Sequence, residues 1–235
     1  MRHIERANER GTSELGWLSS HFTYSFADYL NPKRMGFGVL RVVNDDAVAP
    51  KSGFPLHHHE NMEIVTIMLS GTLTHEDSMG NKKELHAGEV QVMTAGTGVN
   101  HSERNHDFKE TARLFQIWIF PNKRGLPPRY DQKKFDEKDR QNTFQVLVSG
   151  DKKDGTLFIH QDAVFARASI KKGEHVAYKP ANSKHGLFLM VVTGKIKLGG
   201  DTLNERDMME IQGEPDIEVE ALEDADVFVI EVPVG

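Results

Sequence analysis

No stretch of this chain sustains apolar residues at the 3.6-residue spacing of a helix. Short runs of β-branched and aromatic residues recur instead, among them 38–43, 63–69, 90–93, 114–120, 188–192 and 227–232, separated by turns drawn from 20 glycines and nine prolines. Such runs between turn residues read as strands of an antiparallel, all-β protein. The segment Asp131–Gln141 comes nearest to a helix, but its charges leave room for one helical turn in a charged linker. Paired prolines at Pro127-Pro128 force extended backbone just before it. The chain therefore divides into residues 1–125, a linker at 126–145, and residues 146–235. An internal echo supports a duplication: Leu69-Ser70-Gly71-Thr72-Leu73 matches Val192-Thr193-Gly194-Lys195-Ile196, and Leu85 to Val90 parallels Leu203 to Met208. Two tandem jelly-roll type β-barrels are expected, since closing a sheet on itself removes its exposed edges.

Composition then narrows the chemistry. The absence of cysteine removes disulfides, thiolate metal sites, iron–sulfur clusters and a thiol nucleophile, so any metal rests on nitrogen and oxygen. With 29 basic against 35 acidic residues the net charge is −6, opposite to what a phosphate-binding surface needs, and no direct nucleic-acid partner is expected. No apolar run approaches the ~20 residues needed to cross a bilayer. The charged start Met1-Arg2-His3-Ile4-Glu5-Arg6 lacks the apolar stretch of a signal peptide, so no membrane partner and a cytoplasmic location are expected.

Five of the 12 histidines stand apart. His57, His58 and His59 follow Gly53-Phe54-Pro55, and His101 and His106 flank Glu103. Alternate side chains of a strand share a face, so His57 and His59 point one way and His58 the other, while His101 and Glu103 share a face in turn. If those two strands are neighbours in a barrel, three imidazoles and a carboxylate converge as an N3O donor set with room for further ligands. Such a set suits Fe(II), Mn, Co, Ni or Cu(II). Glu63 is a rival for the carboxylate, four residues past His59 and of the same nominal parity. His75 and His86 read as exposed hairpin histidines, His106 as an exposed loop residue, and Asp45-Asp46 as a solvated turn. His160, His175 and His185 form neither H-x-H nor H-x-E, so the second barrel is expected to be metal-free. Met62, Met68, Met93, Phe37, Phe115 and Ile117 read as core, some of them lining an apolar pocket above the metal.

The string Gly-Phe-Pro-x-His57-x-His59, Met62-Glu63-Ile64-Val65-Thr66, His75-Glu76-Asp77-Ser78-Met79-Gly80 and Met93-Thr94-Ala95-Gly96-Thr97-Gly98-Val99-x-His101-Ser102-Glu103 resembles the metal-binding module of the pirin family of bicupins. The likeness covers nearly all of the first 130 residues and is looser beyond them. It implies two tandem cupin barrels and a single metal, commonly iron, on His57, His59, His101 and Glu103. The compact chain resembles bacterial pirin-like quercetin dioxygenases, which implies opening of the central ring of a quercetin-type flavonol by O2 with release of carbon monoxide. Glu103 would also take the hydroxyl proton. The same resemblance allows an alternative, a metal-bearing regulatory protein that acts through protein partners. Where many pirins have His-Pro-His, this chain has His58 in the middle, removing a backbone restraint and adding a competing donor.

Overall fold

The structure, a computed structural model, describes residues 1–151 and 155–234. Strands dominate, and among the described residues the helical content is two short 3-10 turns, Ala7–Glu9 and Glu137–Arg140. Contacts divide the chain into two compact units, one of Gly11–Phe135 with Ile159–Gln161, the other of Met1–Arg10, Asp136–Phe158 and Asp162–Gly235. The first strand, β1 (Arg2–Glu5), thus belongs with the C-terminal half and pairs with a strand of it. No helix among the described residues is long and apolar enough to cross a membrane.

The N-terminal unit contains β2 (Gly11–Glu14), β3 (Leu18–Phe22), β4 (Leu40–Val48), β5 (Ser52–His59), β6 (Glu63–Ser70), β7 (Thr72–Asp77), β8 (Lys82–His86), β9 (Glu89–Thr94), β10 (Val99–Asn105), β11 (Ala112–Ile119) and β12 (Arg129–Lys134). They form a seven-stranded sheet, β12-β9-β6-β11-β4-β3-β2, and a four-stranded sheet, β5-β10-β7-β8. The C-terminal unit contains β13 (Gln145–Ser149), β14 (Leu157–Phe158), β15 (Val164–Ile170), β16 (His175–Tyr178), β17 (His185–Thr193), β18 (Lys195–Leu198), β19 (Asp201–Asn204), β20 (Met208–Gln212), β21 (Ile217–Ala221) and β22 (Ala225–Pro233). Its sheets repeat the pattern, seven strands as β1-β20-β17-β22-β15-β13-β14 and four as β16-β21-β18-β19. Two barrels of the expected cupin kind result.

The internal echo marks equivalent corners. Gly71 lies between β6 and β7 and Gly194 between β17 and β18, each where the chain leaves a seven-stranded sheet for a four-stranded one. Both have positive φ, 72° and 81°, which glycine adopts without penalty. A Cβ on Gly71 would meet the Thr111 carbonyl oxygen and Ala112 Cα at 2.9 Å, and one on Gly194 would press on Asp224 and Ala225 backbone. The segment read as a linker holds its helical turn at Glu137–Arg140, but ahead of it Arg129–Lys134 forms a strand that pairs with β9. Charged residues on this strand, Asp131, Lys133 and Lys134, suit a sheet edge, where they oppose pairing with another chain.

Cross-strand register layers the N-terminal barrel. Ile64, Met93 and Trp118 form one rung, Thr66, Gln91 and Gln116 the next, and Met68 with Leu114 a third. Apolar clusters occupy the two ends, Ile64, Met93, Ala95 and Val99 at one and Met68, Leu73, Leu85 and Leu114 at the other. Between them lies a polar belt. The C-terminal barrel has a continuous apolar core instead, running through Ile170, Leu189, Val191, Ile196, Met209, Val219 and Val229.

Gly71→Ala should lower unfolding stability by about 1–3 kcal/mol, through strained φ and overpacking against backbone that cannot yield. Gly200→Ala, with nothing within 4 Å of the added Cβ, should be near neutral, and thermal unfolding of the two variants side by side checks the difference.

Candidate metal centre

The geometry of the site begins with β5 and β10. Val99 pairs with His59, His101 with His57, and Glu103 with Phe54, so three steps on β5 span two on β10. The extra residue is a β-bulge at Pro55-Leu56, a position where proline's missing N–H costs no ladder bond. The bulge resets the alternation, so Phe54, His57 and His59 all line one cavity. Gly53 lets the strands approach closely, since a Cβ there would collide with Glu103 and Arg104 backbone.

Three imidazoles converge as the alternation predicts. One ring nitrogen from each of His57, His59 and His101 lies within 4.8 Å of the others. His57 Nδ1 donates to Pro55 O at 2.8 Å, and because a carbonyl can only accept, the lone pair is left on Nε2, 3.0 Å from His101 Nε2. Burial, then the neighbouring imidazoles, push both His59 and His101 down to about 3, so both rings are neutral at physiological pH. Ligand histidines must be neutral to bind, so His59 and His101 meet a metal without first losing protons. His58 points away, and its Nδ1 donates to Asn100 Oδ1 at 3.1 Å.

Glu103, 1% exposed, sits one inward position along β10 from His101. Its Oε1 accepts from Gln91 Nε2 at 2.7 Å and its Oε2 from Gln116 Nε2 at 2.8 Å. Thr66 Oγ1 in turn donates to Gln116 Oε1 and accepts from Gln91 Nε2, each at 3.0 Å. Glu103 groups with His101 and His75, and its charge is felt at His59.

Glu63 lies elsewhere. On β6 the inward residues are Ile64, Thr66 and Met68, which leaves Glu63 on the opposite face, where Thr94 Oγ1 donates to it at 2.9 Å. Parity does not carry from His59 to Glu63 because Asn61, with φ 49°, turns the chain between β5 and β6. Glu63 belongs to neither histidine group, and burial pushes its carboxyl up to about 7.

Several expectations need correction. His75 is not an exposed hairpin histidine: β7 places it opposite Glu103 on the inner face, 1% exposed and stacked on Tyr130 at 4.5 Å. Its Nε2 donates to Asp77 Oδ2 at 3.0 Å, turning a bare Nδ1 toward His101 Nδ1 at 3.4 Å. That arrangement favours the His101 proton on Nδ1 and the lone pair on Nε2, the nitrogen facing His57. Asp45-Asp46 is not a turn but the middle of β4, with Asp46 buried. Met62 is partly buried and Met68, Met93, Phe37, Phe115 and Ile117 are core, while the apolar walls of the cavity come from Trp17, Leu18, Phe22, Phe26, Phe54 and Trp118. The cavity measures about 320 Å³ and also exposes His57, His59, Glu103, Gln116, Asn44 and Asp46, within the ~300–1,000 Å³ range of small-molecule sites. Sequence reading missed Gln91, Gln116, Asn44 and Asp46. The available signal was a polar residue inside an apolar strand, as in Val90-Gln91-Val92 and Phe115-Gln116-Ile117.

The donor set fits a divalent transition ion: imidazole nitrogens gathered within reach of one another, a carboxylate beside them, and a cavity opening onto them. A tandem β-barrel protein with such a constellation on one barrel is a bicupin of the metal-binding kind. The chain belongs to the pirin family: residues 3–119 match the family model Pirin, and residues 146–232 match the one described as quercetinase C-terminal cupin domain. It is 41% identical over 233 residues to a quercetin 2,3-dioxygenase of Escherichia coli K12, covering 99% of each chain. It is also 41% identical to a pirin-like protein of Caulobacter vibrioides, covering 94% of this chain and 95% of that one. Among solved structures it resembles the bacterial pirin YhhW of Escherichia coli in complex with nickel(II), with a TM-score of 0.94, 40% identity and all of both chains covered.

His57→Ala, His59→Ala and His101→Ala are each expected to lose stable binding of one divalent ion per chain while keeping a β-rich circular dichroism spectrum. His75→Ala, which leaves those three histidines in place, should weaken affinity about 10- to 100-fold. Metal analysis after equilibrium dialysis separates the outcomes, and unchanged stoichiometry in all three cluster variants would place the metal elsewhere.

Proposed function

We propose that this chain is a cytoplasmic flavonol dioxygenase that opens the central ring of a quercetin-type substrate with O2 and releases carbon monoxide. The metal is held by His57, His59, His101 and Glu103; Fe(II) is the first choice, and Mn, Co, Ni or Cu(II) satisfy the same donors. The observation that carries this reading is the cluster of three imidazoles beside a buried carboxylate, opening into an aromatic-walled cavity. The likeness to a protein named quercetin 2,3-dioxygenase supports it.

When bound, the metal supplies Lewis acidity that lowers the pKa of an enolic hydroxyl, together with open positions for substrate and O2. The rest is the work of the chain. Phe54, Phe26 and Trp118 offer ring faces and edges to a flat aromatic ligand and keep bulk water from it. Trp118 packs edge-on against His59 at 4.9 Å and so limits rotation of that imidazole. Gln91 and Gln116 hold Glu103 with both oxygens engaged, which fixes the carboxylate as a donor without a search over rotamers. Glu63, on the far face, has no such part.

Stripped protein reloaded separately with each of the five metals should consume O2 and release carbon monoxide from quercetin with at least one of them. Metal binding without turnover across a panel of flavonols would overturn the enzyme reading in favour of a regulatory protein. Glu103→Gln should weaken metal binding and lower turnover by about 10²-fold. Glu63→Gln should cost no more than about 10-fold, and a dead Glu63→Gln beside a normal Glu103→Gln would reverse the ligand assignment.

A further inference from the structure

Across the cavity from the histidines, β4 presents two polar residues that the metal chemistry leaves unused. Asp46 pairs with Leu114 on one side and Ser20 on the other, and Asn44 with Gln116 and Phe22, so both share the inner face. Asp46 is 3% exposed and lines the cavity, yet among the described residues no lysine or arginine lines it to balance a charge. Ser20 Oγ donates to Asp46 Oδ1 at 2.5 Å. Asn44 Oδ1 is buried without a hydrogen-bond partner, and so is Trp118 Nε1, also on the cavity wall. Buried polar atoms are rarely left unmatched, and their gathering in one aromatic cavity points to a ligand that carries its own hydroxyl and carbonyl groups.

We propose that Asp46 is the group that accepts the acidic hydroxyl proton of the bound ligand, with Ser20 fixing its orientation and Asn44 taking a hydrogen bond from a second ligand hydroxyl. The proposal rests on the flavonol reading above. Glu103 is less suited to the task, because both its oxygens already accept amide hydrogen bonds and the metal takes a further lone pair. Ser20 occupies Oδ1 of Asp46, which leaves Oδ2 as the acceptor. In the step, the flavonol O–H bond breaks and an O–H bond forms on Asp46. The proton is later returned to the carboxylate produced by ring opening, so flavonol and O2 become the ring-opened acid and carbon monoxide with nothing left over.

Burial pushes the Asp46 carboxyl up to about 7, against the pull of the Ser20 hydrogen bond and with a further push from Asp45 and Glu103. The ionisable groups that face it across the cavity are Glu103 of β10 and His57 and His59 of β5; β3 and β11 turn Ser20, Leu114 and Gln116 toward it. A base of this kind is competent above its pKa and is lost below it.

The test uses protein loaded with nickel(II), mixed anaerobically with quercetin in a stopped-flow instrument, following the red-shifted absorption of the flavonol anion as the proton leaves. In the wild type the rate should rise with pH through the midpoint at which the Asp46 carboxyl ionises. Asp46→Asn should keep one metal per chain, slow the step about 10²-fold and lose that midpoint. Ser20→Ala, which removes a bond that lowers the Asp46 pKa, should move the midpoint upward, a displacement that a purely structural role would not produce. Asp46→Asn with a wild-type rate and midpoint, or Ser20→Ala with an unmoved one, overturns the assignment while leaving the flavonol reading intact. A wild type that binds no flavonol overturns both.

Discussion

The pair of amide hydrogen bonds on Glu103 is the contact on which the N-terminal barrel depends. A carboxylate taken out of water loses solvation that must be replaced, and two charge-assisted bonds at 2.7 and 2.8 Å replace it. The donors stand on β9 and β11 of the seven-stranded sheet, while Glu103 stands on β10 of the four-stranded sheet. The same bonds therefore join the two walls of the barrel and set the position of the carboxylate relative to His101. Thr66 closes the network by bonding both glutamines, so neither amide can flip without breaking a second contact. Removing one member leaves the others buried and unmatched, which makes the belt cooperative.

Around this belt the histidines are oriented by bonds of their own. Pro55 O fixes the tautomer of His57, the His75–Asp77 pair acts on the far nitrogen of His101, and Trp118 packs on His59. Each support comes from a different place in the fold: the bulge of β5, the inner face of β7, and the rung on β11. A site held in this way is pre-organised, and binding a metal does not have to order it. The cavity beside it combines aromatic walls with unmatched polar atoms on Asn44 and Trp118, a composition that suits a flat aromatic ligand with hydroxyl and keto groups better than a protein segment.

Much of this was legible in the sequence, and the failures have physical causes. The all-β character and the duplicated corners at Gly71 and Gly194 followed from run length and turn glycines, because the tight turn at each of these two corners takes a positive φ that glycine adopts without penalty. Convergence of His57, His59 and His101 followed from the two-residue period of strands. Parity misled where the chain interrupts it. It cannot be extended from His59 to Glu63 across the positive φ of Asn61. The second failure concerned polar residues in strands. Asp45-Asp46 and His75 look solvated from their composition, but a barrel interior with a polar belt inverts that expectation, and only the pairing of β4 with β11 and of β7 with β10 shows it.

The two barrels show what this inversion costs. They share a seven-plus-four strand plan, yet the C-terminal one fills its interior with Leu, Ile, Val and Met, each burial contributing roughly 1.5–3 kcal/mol. The N-terminal barrel gives up one layer of that packing to Thr66, Gln91 and Gln116, and its buried groups include the Glu103 carboxylate, the imidazoles of His75 and His101, and Asp46. Polar groups at such depth add little net stability even when every bond is made, and they destabilise when one is lost. Chain economy alone would favour the apolar solution that the second barrel shows to be available on the same plan. The polar layer is therefore explained by chemistry rather than by folding, and its position, level with the imidazoles and open to the cavity, is where that chemistry is placed.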